Sequence, residues 1–395
     1  MTQTTKTATW MATETEEEMG SSLTSPSESE RAHDELVVRF EQTDDAGGLT
    51  GRSATFADPT FHGLQYEDLI GHALGTPIKI PLSWQDARVI ESNLEGCEID
   101  AYASVTATLD SPFSSRTIGL VRDGWLPSGI ALQGQMTVLP DRCTITELAG
   151  RFQDGAKKND GEQDFLDLFA ARSVRINPLL YAMEGNRRRN PSPEDVEEQF
   201  DHACSIIKAA LPKAELVPAG RGGIRGAVGL INDMQAGMLR EQAFLMQIAP
   251  KLYAPVSARR IKEVWGLVLV AADERQVPRT SLAVLAALSA VSVPNGKSPA
   301  KRLLKLGHPG YTEEDAYNAL ADLRSLEVLM HIFAMFPEER VLLCTGDKDL
   351  ALFWAGIRAS GFTIENGRFA GQVFPVEALL PGGALDRWVS DASGA

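Results

Sequence analysis

The chain has 395 residues, 44% of them apolar and 23% charged, with a net charge of −15. That length exceeds one average domain and can bury a sizeable core. The longest apolar stretches, Val264 to Ala272 and Leu282 to Val293, are too short to span a bilayer, and the four cysteines form no C-x-x-C pair, which excludes a disulfide framework and a cysteine zinc site.

Residues 1–33 are rich in Thr, Ser and Glu and almost free of aliphatic side chains, so they are expected to form a disordered acidic tail. Their start has no apolar core behind a basic segment, which argues against a secretory signal and makes a cytoplasmic location the expectation. From 34 to 134 the pattern changes to short β-type runs: Glu35 to Phe40, Pro77 to Pro81, Ile99 to Thr108 and Arg116 to Val121. Gly, Pro, Asp and Ser turns separate them, the signature of a small β-rich domain. Trp84 and Trp125 are read as packing residues, and the domain as a surface for a protein partner.

The next stretch, Gln135 to Phe152, is a short apolar run that stops on Asp141 and continues as an amphipathic segment. Beyond it the character is helical. Asn177 followed by Pro178 has a side-chain acceptor at the cap and proline at the first position, and Glu184 lies within two turns of that start. Ser192, Pro193 and Asp195 open a second helix, with Val196, Phe200, Ile207 and Ala210 on one face. Gly220 to Gly226, GRGGIRG, reads as a flexible connector; without a GKS/T ending it is not a P-loop. A helical segment follows over about 221–310. Thr312 and Asp315 have capping-box spacing for a long helix to about Phe336, with Asp322 in its middle. Arg340 to Cys344 reads as a buried strand ending in TGDKDLALF, Asn366-Gly367 as a type I′ hairpin turn, and 381–395 as a flexible tail.

Charge is spread unevenly. Residues 1–45 hold eleven acids and three bases, whereas 221–310 hold thirteen bases and five acids. A basic region beside clustered acids is compatible with a metal-dependent site next to a phosphate-binding surface.

Two apolar strands thus end in aspartates, Asp141 after TVLP and Asp347 with Asp349 after VLLCTG. In open α/β sheets ligands bind beyond the carboxyl ends of parallel strands, so if both strands lie in one sheet their acids meet. Packed carboxylates repel unless a divalent cation neutralises them. Oxygen donors select hard cations, so Mg²⁺ or Mn²⁺ is the expected occupant.

The order of strand-end Asp141, Glu184 on an early helix, Asp322 on a later helix and then strand plus Thr345 to Leu350 (TGDKDL) resembles the PIN-domain nucleases over about residues 135–375. The resemblance implies an α/β fold, a PIN-like parallel sheet flanked by helices, here a domain over 135–380 with a helical insertion at about 221–310. It also implies metal-dependent hydrolysis of RNA. By position, Asp141, Glu184, Asp322 and Asp347 match the acidic quartet, with Asp349 a further possible metal ligand. Thr345 matches the small hydroxyl residue that leads the last acidic motif and is assigned, with Arg187, Arg188 and Arg189, to the substrate. Arg259, Arg260 and Lys262, or Lys301, Arg302 and Lys305, are alternative contacts to the RNA backbone. Where the family often has x-Asn after its first Asp, this chain has Arg142-Cys143.

Two rival readings differ in class. The strand-end Asp and the late GD motif also resemble haloacid-dehalogenase-type phosphatases, but the second Asp that family places two residues after the first is here Cys143. The other rival is a non-catalytic RNA- or partner-binding protein on a PIN-like scaffold.

Overall fold

The computed structural model describes residues 6–9, 37–44, 46, 48–132, 136–170, 173–184, 190–217, 221–365 and 368–393. Its organising feature is a pair of six-stranded sheets. The first contains β1 (Lys6–Thr9), β2 (Val37–Thr43), β3 (Leu49–Ala57), the two-residue β4 (Thr60–Phe61), β5 (Pro77–Ser92) and β6 (Tyr102–Ser114). Strand order is β3-β2-β1-β6-β5-β4, and an additional β3–β5 pairing closes the sheet into a barrel. Alternation turns Ile78, Ile80, Leu82 and Trp84 of β5 inward. Trp84 meets Phe56 and Phe61 edge to face, with ring centroids 5.6 and 5.7 Å apart. Lys6–Thr9, read from sequence as part of a disordered tail, is instead a strand paired to both β2 and β6.

The second sheet mixes parallel and antiparallel strands, so the molecule is α/β in its second part. A hairpin of β7 (Ile118–Val121) and β8 (Gly124–Pro127) is followed by the short α2 (Ser128–Ala131) and β9 (Thr137–Pro140). These lead into α3 (Arg142–Arg151) and a two-residue hairpin of β10 (Phe152–Gln153) and β11 (Ala156–Lys157). Then come β12 (Arg175–Ile176), α4 (Leu179–Glu184), α5 (Pro193–Ala210) and β13 (Glu215–Leu216). Strand β14 (Val341–Thr345) completes the sheet in the order β13-β12-β9-β14-β7-β8. The four strands β13, β12, β9 and β14 are parallel, and β7 joins β14 antiparallel. The sheet therefore begins near residue 118, not at the sequence-predicted boundary of 134. The run Arg116 to Val121 belongs to it because β7 hydrogen-bonds to β14, a partner more than two hundred positions away.

The helix α1 (Tyr66–Ile70) buries Tyr66 and Leu69, and Leu64 just before it bridges to Trp125 of β8. Trp125, fully buried, donates from Nε1 to the Gln65 carbonyl at 2.9 Å. Gly124, at φ 153°, lets the Leu64 carbonyl approach to where a Cβ would stand 2.3 Å away, so no larger residue fits.

Between β13 and β14 the chain is helical: α6 (Arg221–Leu252), α7 (Ile261–Glu274), α8 (Leu282–Ser292), α9 (Pro299–Leu303) and α10 (Glu313–Met335). From Arg221 on, the glycine-rich stretch read as a connector is the first turns of α6, and Gly220 lies outside the described residues. Glycine disfavours helix by about 1 kcal/mol per residue, but Ala227, Ile231, Met238 and Leu245 form a buried stripe at helical spacing that outweighs it. After β14 come α11 (Lys348–Ile357), the hairpin β15 (Ser360–Glu365) and β16 (Arg368–Gln372), and α12 (Ala384–Ser393). The last replaces the expected flexible tail, docked through Asp391, whose Oδ2 accepts the Trp265 Nε1–H at 2.8 Å. Asn366 and Gly367 lie outside the described residues, while the strands flanking them pair Glu365 with Arg368. Among the described residues no helix is long and apolar enough to cross a membrane.

Candidate functional site

Strands β9 and β14 are parallel neighbours, with Leu139 opposite Leu343 and Pro140 opposite Cys344. Chain order runs outward from β9 through β12 to β13, then returns to β14 on the other side of β9. The crevice at the carboxyl ends of β9 and β14 is thus a topological switch point, where open α/β sheets bind ligands.

Both strand-end acids are helix N-caps. Asp141 Oδ1 accepts the Thr144 N–H at 2.6 Å, and its own N–H donates to the Cys344 carbonyl at 2.9 Å. Asp347 Oδ1 accepts the Asp349 and Leu350 N–H groups at 2.7 and 3.1 Å. Thr345 stands beside the pair: its hydroxyl oxygen accepts the Asp347 N–H at 2.9 Å, and its hydroxyl favours the ionised Asp141 carboxylate. Thr345 is fully buried. That corrects its assignment to the substrate: it positions the two acids and has no surface for RNA.

The helical acids arrive from opposite sides. Glu184 is the last residue of α4, where α10 grips the helix end: Tyr317 donates its hydroxyl to the Glu184 carbonyl at 2.6 Å, and Arg324 Nη2 donates to the Met183 carbonyl at 2.6 Å. A cation on the last carbonyls of a helix is favoured by the helix dipole. Asp322, one turn before Ser325 on α10, has no hydrogen-bond or ion-pair partner for its carboxylate among the described residues. Asp141, Glu184 and Asp322 line one cavity, walled on its apolar side by Leu180, Met183 and Val328.

The charges of the four acids act on one another. Burial raises the Asp141 carboxyl, opposed by its hydrogen bonds to Thr345 and Thr144 and reinforced by the charge of Asp347. Burial raises Glu184 as well, and the Arg142 guanidinium opposes it. Asp322 is raised well above the usual range, first by burial, then by Asp347, Glu184 and Asp141 against the opposing charge of Lys305. Cys143, in the first turn of α3, is pushed up to about 12 by burial and by the charges of Asp141, Glu184, Asp322 and Asp347 together. One thiol feels all four carboxylates. Three of the predicted acids, Asp141, Glu184 and Asp322, thus line one cavity, and Asp347 caps the helix at the end of the neighbouring strand.

Two cations belong to the same neighbourhood. Arg142 places Nε 3.8 Å from Glu184 Oε1, stacks its guanidinium 4.3 Å over the Tyr181 ring and donates from Nη2 to Gln199 Oε1 at 3.3 Å. Lys305, half-buried just after α9, holds a left-handed backbone at φ 56°, uncommon outside glycine. Arg142 was missed as a site residue by the sequence reading; its one signal is its place directly after the strand-end acid.

Other predicted contacts lie elsewhere. The Asp349 carboxylate is held by Arg302, whose Nε lies 2.9 Å from both oxygens, so its charge is already matched and it does not join the quartet. Lys301 is buried and donates to the Tyr253 carbonyl at 3.0 Å, a structural contact. Arg260 pairs with Glu263, while Arg259 and Lys262 are exposed. Arg187, Arg188 and Arg189 lie outside the described residues.

As the side chains lie, no three His, Cys, Asp or Glu among the described residues enclose a site for a metal ion. The donors nevertheless fit a hard divalent cation in kind. They are all oxygen, they repel one another, and Asp322 is unpartnered among the described residues. Comparison with protein-family models, curated proteins and solved structures finds no match to this chain.

Proposed function

We propose that the chain is a divalent-metal-dependent nuclease with a PIN-like site that hydrolyses RNA phosphodiester bonds. The observation that carries this reading is the placement of Asp141 and Asp347 at the switch point of the parallel strands, with Glu184 and Asp322 lining one cavity with Asp141. A parallel sheet flanked by helices, with acids at the ends of its first and last parallel strands, is the arrangement the PIN resemblance implies.

Asp141, Glu184, Asp322 and Asp347 would hold Mg²⁺ or Mn²⁺. Bound there, the ion supplies a lowered pKa for water and neutralises charge on the phosphate oxygens. The chain's own part is placement. Helix-capping hydrogen bonds fix Asp141 and Asp347 through Oδ1, and Thr345 keeps the two motifs in register. Arg142, immobilised on Tyr181 and Gln199, orients Glu184. Tyr317 and Arg324 fix the end of α4 against α10, and so set Glu184 relative to Asp322. No side chain is needed as a covalent nucleophile.

The test uses single-stranded RNA with Mn²⁺ or Mg²⁺, with EDTA as control, and a small phosphomonoester alongside. Cleavage that needs the metal and is lost in Asp141→Asn and Asp347→Asn supports the nuclease. Phosphate release without RNA cleavage points to a phosphatase instead. If wild type and Asp141→Asn bind RNA equally and neither cuts it, the catalytic reading is wrong.

A further inference from the structure

The α6–α7 turn carries bases that the proposed active site does not use. Between 251 and 263 stand Lys251, Arg259, Arg260 and Lys262 against a single acid, Glu263, and Arg260 already holds that acid at 3.2 Å. Lys251, Arg259 and Lys262 are exposed and form no ion pair among the described residues. The segment around Lys297 folds onto the same turn. A Cβ on Gly296 would stand 3.6 Å from Pro255 Cγ, and Lys301, next on α9, donates Nζ to the Tyr253 carbonyl at 3.0 Å. Lys297 is therefore a fourth exposed cation in the patch, without an ion pair among the described residues. Among them the Tyr253 side chain is 46% exposed, and its ring packs on no other aromatic among the described residues.

Four exposed cations on and beside a turn that also exposes an aromatic ring make a surface for a single nucleic-acid strand: phosphates meet the basic side chains while a nucleobase stacks on the ring. The patch also leads to the acids. From Lys297 the chain enters α9, where Arg302 reaches Asp349 at the start of α11, and Lys305 then sets its charge against Asp322 and Glu184. Here one short helix joins the two.

We propose that Lys251, Tyr253, Arg259, Lys262 and Lys297 form a docking surface for single-stranded RNA that feeds the strand along α9 toward the carboxylate cluster. The identity of the strand as RNA rests on the nuclease reading; the binding itself is measured apart from catalysis. The probe is a short fluorescein-labelled uridine oligonucleotide, titrated in EDTA onto Asp141→Asn protein so that no cleavage intervenes, at several salt concentrations. The triple variant Lys251→Gln, Arg259→Gln, Lys262→Gln should bind about tenfold more weakly or worse and reduce the slope of log K against log salt by about 2. Tyr253→Leu should weaken binding about fivefold or more with the slope unchanged. All these side chains are exposed, so the variants should retain the wild-type circular dichroism and Tm. A charge-matched control, Arg52→Gln, Lys79→Gln, Arg88→Gln on the barrel, should bind as the parent does. Equal binding by parent and patch variant overturns the docking surface, as does an equal loss in the barrel control. Binding of anionic lipid vesicles in place of the oligonucleotide overturns it too. Weakened binding in the patch variants together with no metal-dependent cleavage by wild type would instead sink the nuclease reading and leave the surface standing.

Discussion

Asp141 and Asp347 share one buried hydroxyl neighbour, that of Thr345, which accepts the Asp347 N–H at 2.9 Å and favours the ionised Asp141 carboxylate. The two acids stand at the ends of strands separated by some two hundred residues of chain, and this hydroxyl serves both. Thr345→Val keeps the shape and removes the hydroxyl, leaving a buried N–H unsatisfied and the ionised Asp141 carboxylate less favoured. The expected cost is about 1–3 kcal/mol of stability, with a parallel fall in Mn²⁺ affinity, while Thr345→Ser retains most of both. Urea denaturation and calorimetric metal titration check this; a valine variant indistinguishable from wild type would show that the hydroxyl contributes nothing.

Asp322 should behave as a destabilising acid in the metal-free protein. Its carboxyl is raised well above the usual range by burial and by the other three acids, so the folded state holds a proton that the unfolded state has released. Stability must then fall as pH rises above the ordinary carboxylate value of about 4. Glu184 and Asp141 are raised as well and act in the same direction. Asp322→Asn should make the metal-free protein as stable as wild type or more so at neutral pH, flatten that decline, and abolish the rise in Tm caused by Mn²⁺. Thermal melts from pH 4 to 8, with and without metal, measure all three; a Tm that still climbs with Mn²⁺ in the variant would remove Asp322 from the metal set.

Asp349 should be dispensable for metal binding. Arg302 holds both of its oxygens at 2.9 Å, so replacing it removes a partly exposed ion pair instead of a ligand. Asp349→Asn is expected to leave Mn²⁺ affinity unchanged and to cost at most about 1 kcal/mol of stability. A clear loss of metal affinity in this variant would return Asp349 to the coordination set.

Cys143 offers a chemical reading of the cluster. It is exposed, yet burial of its sulfur and the four carboxylates push its thiol up to about 12, so almost none is thiolate at neutral pH. In protein with Cys97 and Cys204 changed to serine, reaction with a thiol reagent should be slow despite the exposure. At alkaline pH, where the acids are ionised, it should quicken when Asp322→Asn and Asp347→Asn remove two of the four. An unaltered rate in that double variant would falsify the proximity of the acids to the thiol.

Much of the local structure was legible in the chain because its signals act within a few residues. The capping boxes at Ser192 and Thr312 open α5 and α10 where the spacing predicts, and Asn177 caps the turn that leads into α4. The strand at Val341–Thr345 follows from its apolar run, and Asp141 and Asp347 stand at strand ends as expected. Where the reading failed, a distant partner decided. The glycine-rich start of α6 is helical because its buried stripe packs, β7 leaves the barrel because β14 pairs with it, and α12 forms where Trp265 and Arg279 meet Asp391.

The sequence by itself determined which acids the molecule has to offer and which local elements present them, since strand ends and helix caps are set by neighbours in the chain. Only the tertiary structure decided which of those acids meet. Pairing β9 with β14 in parallel sets Asp141 beside Asp347, the grip of α10 on the end of α4 carries in Glu184 and Asp322, and Arg302 withdraws Asp349. Those outcomes depend on contacts between residues 47 to some two hundred positions apart, where charge, burial and hydrogen bonding act through space and leave no pattern in the order of the residues.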